Sequence, residues 1–166
     1  ALRHESDRSS TIGGFTGMYV LEGGARLTDY NGQGLSLTIN SPLEHSPTLS
    51  PGKLDGGVIK QSNNTVTLNG MNTYNGSTIV EAGTLRLTKP SLSERSHVAI
   101  AASATLNLNF TGTNVVNALY LDGVQQANGY WGQNGGPTQY TTPRITGNGV
   151  LRVKPWQPPN TMVTLR

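Results

Sequence analysis

Nine carboxylates are the first groups in this chain able to do chemistry: Glu5, Asp7, Glu22, Asp29, Glu44, Asp55, Glu81, Glu94 and Asp122. Two of them held on one face, one protonated and one ionised, would cleave a glycosidic bond. Apart from Glu5 and Asp7 they lie far apart in sequence, and several stand beside glycine, where an acid is simply a soluble turn residue. Positions about twenty away from Glu81 hold Gln61 and Ala101 or Ala102, so a repeat of that length aligns no second acid with it. No carboxylate dyad is expected.

Metal and nucleophile chemistry fare no better. Only His4 (next to Glu5) and His45 (next to Glu44) adjoin an acid, and neighbours on an extended chain point to opposite faces; His97 has no such neighbour. Aspartate is scarce and no Gly-Gly-x-Gly-x-Asp repeat offers a calcium turn. No Gly-x-Ser-x-Gly elbow precedes a helix. The chain has no cysteine, which removes disulfides, thiolate metal sites and cysteine nucleophiles together. These residues predict no catalytic, metal or cofactor site.

The aromatics are better placed. Tyr120, Tyr130, Trp131, Tyr140 and Trp156 gather in the C-terminal third beside Asn128, Gln133 and Asn134. Flat rings next to amide side chains suit sugar recognition, with Tyr120, Tyr130 and Trp131 as the candidate contacts. The same rings are equally suited to closing the open end of a stacked β structure, and for Tyr130 and Trp131 capping is the preferred expectation.

The elements that would carry these residues are strands. Gly, Asn, Thr and Pro interrupt every window long enough for three helical turns. Short alternating runs stand at 34–39, 65–68, 78–80, 84–87, 98–100, 105–110, 118–121 and 150–153, separated by Asn69-Gly70, Asn75-Gly76, Ala82-Gly83, Thr111-Gly112, Asp122-Gly123 and Asn148-Gly149. The chain is read as all-β.

Length and composition agree with one domain. The 166 residues are 34% hydrophobic and only 13% charged, where about 25% charged is usual, so neutral polar residues do the solvating. The net charge of +3 comes from Lys and Arg scattered singly rather than in a stripe, which argues against a nucleic-acid partner. No apolar run approaches the roughly 18 residues of a membrane span, and no charged start leads into an apolar stretch. Membrane insertion is not expected, and if the chain is exported its leader is no longer part of it.

Self-similarity is the strongest pattern. Ala82-Gly83-Thr84-Leu85-Arg86-Leu87, Ser103-Ala104-Thr105-Leu106-Asn107-Leu108 and Gly147-Asn148-Gly149-Val150-Leu151-Arg152-Val153 repeat one theme. Leu68 to Leu87 is 19 residues and Leu85 to Leu106 is 21, near the lower end of the about 20 to 50 expected of stacked repeats. Periodicity alone leaves two folds open, a solenoid of stacked coils and a sandwich of antiparallel hairpins, whose tight turns would use the same Asn-Gly and Asp-Gly pairs.

The stretch Gly56-Gly57-Val58-Ile59-Lys60-Gln61, continuing through Thr65-Val66-Thr67-Leu68-Asn69-Gly70-Met71-Asn72-Thr73-Tyr74-Asn75-Gly76-Ser77-Thr78-Ile79-Val80-Glu81-Ala82-Gly83-Thr84-Leu85-Arg86-Leu87, resembles the autotransporter-associated β-strand repeat. Met71 departs from it, standing where a small residue is usual. Residues 98–132 are similar to the ending that follows such repeats, and 147–153 to its closing strand. The resemblance covers 56–153 well, 18–55 weakly and the two ends not at all. It implies a right-handed parallel β-helix outside a Gram-negative type cell. On that fold 78–80 would stack on 98–100, and Asn72, Asn75 and Asn114 would stack as polar ladders at the turns.

Three parts are therefore expected: a polar N-terminal tail over 1–17, a β-solenoid over 18–154, and a Pro-rich tail over 155–166 ending in a short strand-like segment. Phe15, Met18 and Val20, or Met162, Val163 and Leu165, are candidates to add as a strand to a second copy, giving a homo-oligomer or fibre. The functional expectation is a non-enzymatic structural or adhesive surface, with a carbohydrate-binding accessory module as the alternative.

Overall fold

The computed structural model of the chain describes residues 2–4, 10–14, 18–29, 35–155 and 157. Among these every regular element is a strand, and the chain visits three faces in turn before returning to the first. The first coil holds β1 (Leu2–His4), β2 (Ser10–Ile12) and β3 (Met18–Val20), and the second β4 (Ala25–Asp29), β5 (Leu37–Ile39) and β6 (Leu43–His45). The third opens with β7 (Val58–Lys60) and β8 (Thr65–Leu68), the fourth with β9 (Thr78–Val80) and β10 (Gly83–Leu87). The fifth holds β11 (His97–Ile100), β12 (Ala104–Leu108) and β13 (Thr113–Val116). A sixth starts with β14 (Ala118–Leu121), is interrupted by β15 (Val124–Gln125), β16 (Gly129–Gln133) and β17 (Tyr140–Thr142), and resumes with β18 (Ile145–Thr146) and β19 (Val150–Val153).

Each face is a stack of parallel strands. The first runs β1-β4-β7-β9-β11-β14-β15 and the second β2-β5-β8-β10-β12-β18, while the third is divided into β3-β6 and β13-β19-β16-β17. Only β14 with β15 and β16 with β19 pair antiparallel among the described residues. A hairpin sandwich would require the reverse balance, so that alternative is excluded. The arrangement is all-β and parallel, consistent with a β-helix.

Register confirms the period read from the sequence. Leu68 stands opposite Leu87, Leu85 opposite Leu106, and Thr78 and Val80 opposite Val98 and Ile100. Alternation along each strand then turns one side chain in two toward the interior. Leu37, Val66, Leu85, Leu106 and Ile145 form one inward column, and Ile39, Leu68, Leu87 and Leu108 another, all buried. At about 1.5–3 kcal/mol for each fully buried aliphatic side chain, these columns outweigh any surface pairing in holding the coils together.

The corners need glycine because neighbouring coils approach there backbone to backbone. Gly57 has φ +69°, and a Cβ on it would lie 1.9 Å from the Ser77 carbonyl oxygen. Gly83, at φ +65°, would meet the Asn64 carbonyl oxygen at 2.4 Å. Only a residue without a side chain fits either position.

Two departures from the sequence expectation have physical causes. Residues 2–4 and 10–12, in the stretch expected as a polar tail, form β1 and β2 and extend the first two faces by one strand. Their polar composition hides them, because an edge strand of a narrow coil needs few apolar side chains. The third face lacks strands in the third and fourth coils, and side-chain bonds from Asn72 in the third coil and from Asn114 in β13 of the fifth replace the ladder there. Asn72 Oδ1 accepts from the Leu43 amide and its Nδ2 donates to Ser91 Oγ, while Asn114 binds both the amide and the carbonyl of Leu92. The asparagines thus bridge coils through backbone and serine groups rather than stacking on each other. Asn75 instead joins a carboxylate, and an asparagine ladder forms elsewhere, between Asn69 and Asn40.

Candidate functional site

Two buried polar side chains, Asp55 and Lys60, and one aromatic cluster stand out along this stack. Asp55 precedes β7 and its side chain is fully buried. Its Oδ1 accepts from the amides of Gly57 and Gly76, each at 2.8 Å, and its Oδ2 from the Asn75 amide at 2.8 Å and from His45 Nδ1 at 3.0 Å. Asn75 returns the contact by accepting from the Asp55 amide at 2.9 Å. His45 ends the second coil, Asp55 opens the third and Gly76 the fourth, so one carboxylate joins three consecutive coils. Four donors are what its two oxygens can accommodate at an enclosed corner.

Lys60 is the counterpart at the next corner. It occupies an inward position in line with Leu27 and Val80, and it is completely buried. Its Nζ donates to the carbonyls of Gln61 at 2.6 Å, Ser62 at 2.7 Å and Ala82 at 3.1 Å. An ammonium has three donors, and three carbonyls of two successive coils receive them. Ser62 holds a left-handed conformation, φ 69°, which the ammonium helps to fix.

Tyr74 lies between these corners, fully buried, with its hydroxyl 2.8 Å from Thr78 Oγ1. Burial pushes its phenol well above the usual tyrosine range; the Thr78 hydrogen bond opposes this slightly and the Asp55 charge adds to it.

The aromatic cluster closes the C-terminal end. β16 runs antiparallel on β19 and lies against β18, the last strand of its own sheet, while β15 folds back on β14. Trp131 is buried, donates its indole N–H to the Ala127 carbonyl at 2.9 Å and stacks on Tyr140 with centroids 4.8 Å apart. Its neighbour Tyr130 points the other way, 42% exposed, with the Arg152 guanidinium 5.4 Å from its ring centroid. Tyr120 stands on the outer side of the first face, its ring 5.9 Å from that of His97. The three candidate sugar-contact rings therefore do not converge. A cleft of about 260 Å³ nearby is lined by Gln133, Pro137, Thr138, Asn148, Val150 and glycines rather than by aromatic rings.

The remaining candidates fall as follows. Val20 is buried in the core and Met18 half-buried, both in β3, which pairs with β6. Phe15, Met162, Val163 and Leu165 lie outside the described residues. Glu81 accepts from Gln61 Nε2 at 2.7 Å, the pairing across one coil that the spacing indicated, and Asp122 binds Arg144 at 2.5 Å. Among the described residues no three His, Asp or Glu side chains stand together as a metal cluster.

Sequence reading takes Asp55 for a soluble turn residue beside glycine, which its burial corrects, and does not single out Lys60. The only signal for Asp55 is the Gly56-Gly57 that follows it, which frees the amide it binds. For Lys60 the signal is its place in the alternation, two residues after the inward Val58.

Stacked parallel coils with hydrogen-bonded polar corners define a structural class in which the repeating unit, not a pocket, is the distinguishing feature. Residues 58–87 match the family model of the passenger-associated-transport-repeat, which places this segment in the autotransporter-associated repeat family its sequence resembles. The family implies an exported, cell-surface chain. No curated protein and no solved structure matches the sequence.

Proposed function

We propose that the chain is a right-handed parallel β-solenoid displayed outside a Gram-negative type cell, where it serves as a non-enzymatic structural or adhesive surface and associates with itself. One observation carries the reading: the buried side chains of Asp55 and Lys60 bond backbone amides and carbonyls of successive coils, with the His45 ring as a further partner of Asp55. A catalytic carboxylate or amine keeps part of its hydrogen-bonding capacity for substrate; these two direct theirs at the stack. The uninterrupted aliphatic columns give the same direction to the apolar residues, and what remains outside is a long rigid face suited to contact.

The alternative, a carbohydrate-binding accessory module, draws on exposed Tyr130 and its partner Arg152. Binding of the purified chain to a glycan array decides between them, together with labelling of intact producing cells by an antibody against the 50–53 turn. A surface scaffold labels the cells and shows no binding that depends on Tyr130. Ring-dependent glycan binding, or an antigen reached only after lysis, overturns the scaffold reading.

A further inference from the structure

The sequence holds six Asn-Gly pairs, beginning at Asn31, Asn69, Asn75, Asn128, Asn134 and Asn148. In such a pair the glycine amide nitrogen can attack the asparagine Cγ, since no side chain shields it. The attack needs an N–H that nothing else holds and an asparagine side chain free to swing onto it. Among the described residues four of the pairs fail one of these conditions. The Gly76 amide donates to Asp55 Oδ1 and the Gly149 amide to the Leu108 carbonyl. The Asn69 side-chain amide is bonded to Asn40, and Gly70 is buried against the Pro42 backbone. Gly129 is tied into a ladder. The amides of Val150 and Lys154 face β13, so the alternate residues Leu151 and Val153 of β19 face β16, and Gly129, opposite Val153, exchanges hydrogen bonds with it. Asn31 and Gly32 lie outside the described residues.

Asn134 and Gly135 meet both conditions. They form the middle of the turn that leaves β16, closed by the Gly136 amide on the Gln133 carbonyl at 3.0 Å, and both are exposed. Gly135 has φ +74°, a Cβ on it would meet nothing within 4 Å, and its amide has no acceptor among the described residues. Thr141 Oγ1 donates to Asn134 Oδ1 at 3.4 Å, so the oxygen that gains charge during attack has a donor while Nδ2 is left to depart. We infer that Asn134 is a self-modification site, which loses its side-chain amide to attack by the Gly135 nitrogen. Solvent base takes the Gly135 N–H proton, the N–Cγ bond forms, the Cγ–Nδ2 bond breaks, and Nδ2 leaves as ammonia with a proton from water. Water then opens the cyclic imide at either carbonyl, giving aspartate or the isomer in which the main chain runs through the side chain. Nothing is oxidised or reduced. The product lowers the net charge of +3 by one and puts a carboxylate at the rim of the cleft that Gln133 and Gly136 line. The inference is independent of the surface role proposed above.

Incubating the folded chain in mildly alkaline buffer made with heavy-oxygen water, then digesting it for tandem mass spectrometry, reports each asparagine separately, because the opening water leaves its oxygen in the product. Label should enter at Asn134 at least about tenfold faster than at Asn69, Asn75, Asn128 or Asn148, the factor that breaking a hydrogen bond worth about 1.4 kcal/mol sets. The same incubation in concentrated urea should bring the five rates together, since the fold and not the dipeptide separates them. Gly135→Ala, which sets a methyl group beside the attacking nitrogen, should bring Asn134 down to the rate of the other four. Equal rates in the folded chain, a faster reaction at any of the other four, a lead of Asn134 that survives in urea, or an undiminished rate in Gly135→Ala overturns the proposal.

Discussion

The Asp55 carboxylate lies 2.8 Å from the amide nitrogen of Gly76, which opens the following coil, and accepts its hydrogen. A carboxylate is the only side chain that can receive the four donors at this corner at once. In Asp55→Asn one oxygen remains, and the new NH2 group faces donors. With the NH2 in place of Oδ2, the other tautomer of His45 can accept from it, but the Asn75 amide loses its acceptor in an enclosed place, at about 1–3 kcal/mol. Urea unfolding should show a loss of about 2 kcal/mol; a loss under about 1 kcal/mol would mean that water or a shift of the turn replaces the contact.

Lys60 offers the opposite test, because it stands where the column of Leu27 and Val80 calls for an aliphatic side chain. Lys60→Met keeps the length and the apolar stem but leaves the carbonyls of Gln61, Ser62 and Ala82 without the ammonium. Restoring the column recovers the desolvation of the charge, and the carbonyls lose a charge-assisted donor. With three acceptors to one charge the loss is expected to prevail, by about 2 kcal/mol. Equal or greater stability of the methionine variant would show that the buried charge is tolerated rather than stabilising.

Trp131 and Tyr130 are adjacent and predicted to behave differently. Trp131→Ala opens a cavity beneath Tyr140 and leaves the Ala127 carbonyl without its donor. It should cost about 3–5 kcal/mol, read as a lower urea midpoint. Tyr130→Ala, on the exposed side of the same strand, should fall within about 0.5 kcal/mol. Equal effects of the two substitutions would contradict the capping role.

How much of this the sequence discloses depends on whether a residue acts by period or by partner. The inward leucines from Leu68 to Leu108 are legible because the coil repeats at nearly constant length there, and Leu85 and Leu106 can be matched by counting. In the first coils paired residues lie farther apart in sequence, Leu2 opposite Leu27 and Leu27 opposite Lys60, and the period no longer identifies neighbours. Type and position mark Trp131 and Tyr130 alike as rings to close the end, and only the alternation along β16 decides that Trp131 turns inward against Tyr140 while Tyr130 faces out. Asp55 does not announce itself, since its partners at His45, Asn75 and Gly76 come from three coils and only stacking brings them together. Composition likewise reads Lys60 as a surface charge until the alternation of β7 turns it inward.

Tyr74 supplies a prediction in pH. Its phenol is buried, so ionisation is disfavoured in the folded chain and its pKa is raised above the unfolded value of about 10. Above about pH 10 the unfolded chain releases this proton while the folded chain keeps it. The unfolded state then binds fewer protons, and stability falls as pH rises. The contribution is complete below about pH 10 and is lost progressively upward toward the raised folded value. Tyr74→Phe removes the titration together with the hydrogen bond to Thr78, whose hydroxyl is left buried without that partner. The variant should therefore be about 1 kcal/mol less stable at neutral pH, yet lose less on going to about pH 11, so that the gap narrows. Urea midpoints of both chains at about pH 8, 10 and 11 test this, and parallel slopes would sink the assignment of the alkaline loss to Tyr74.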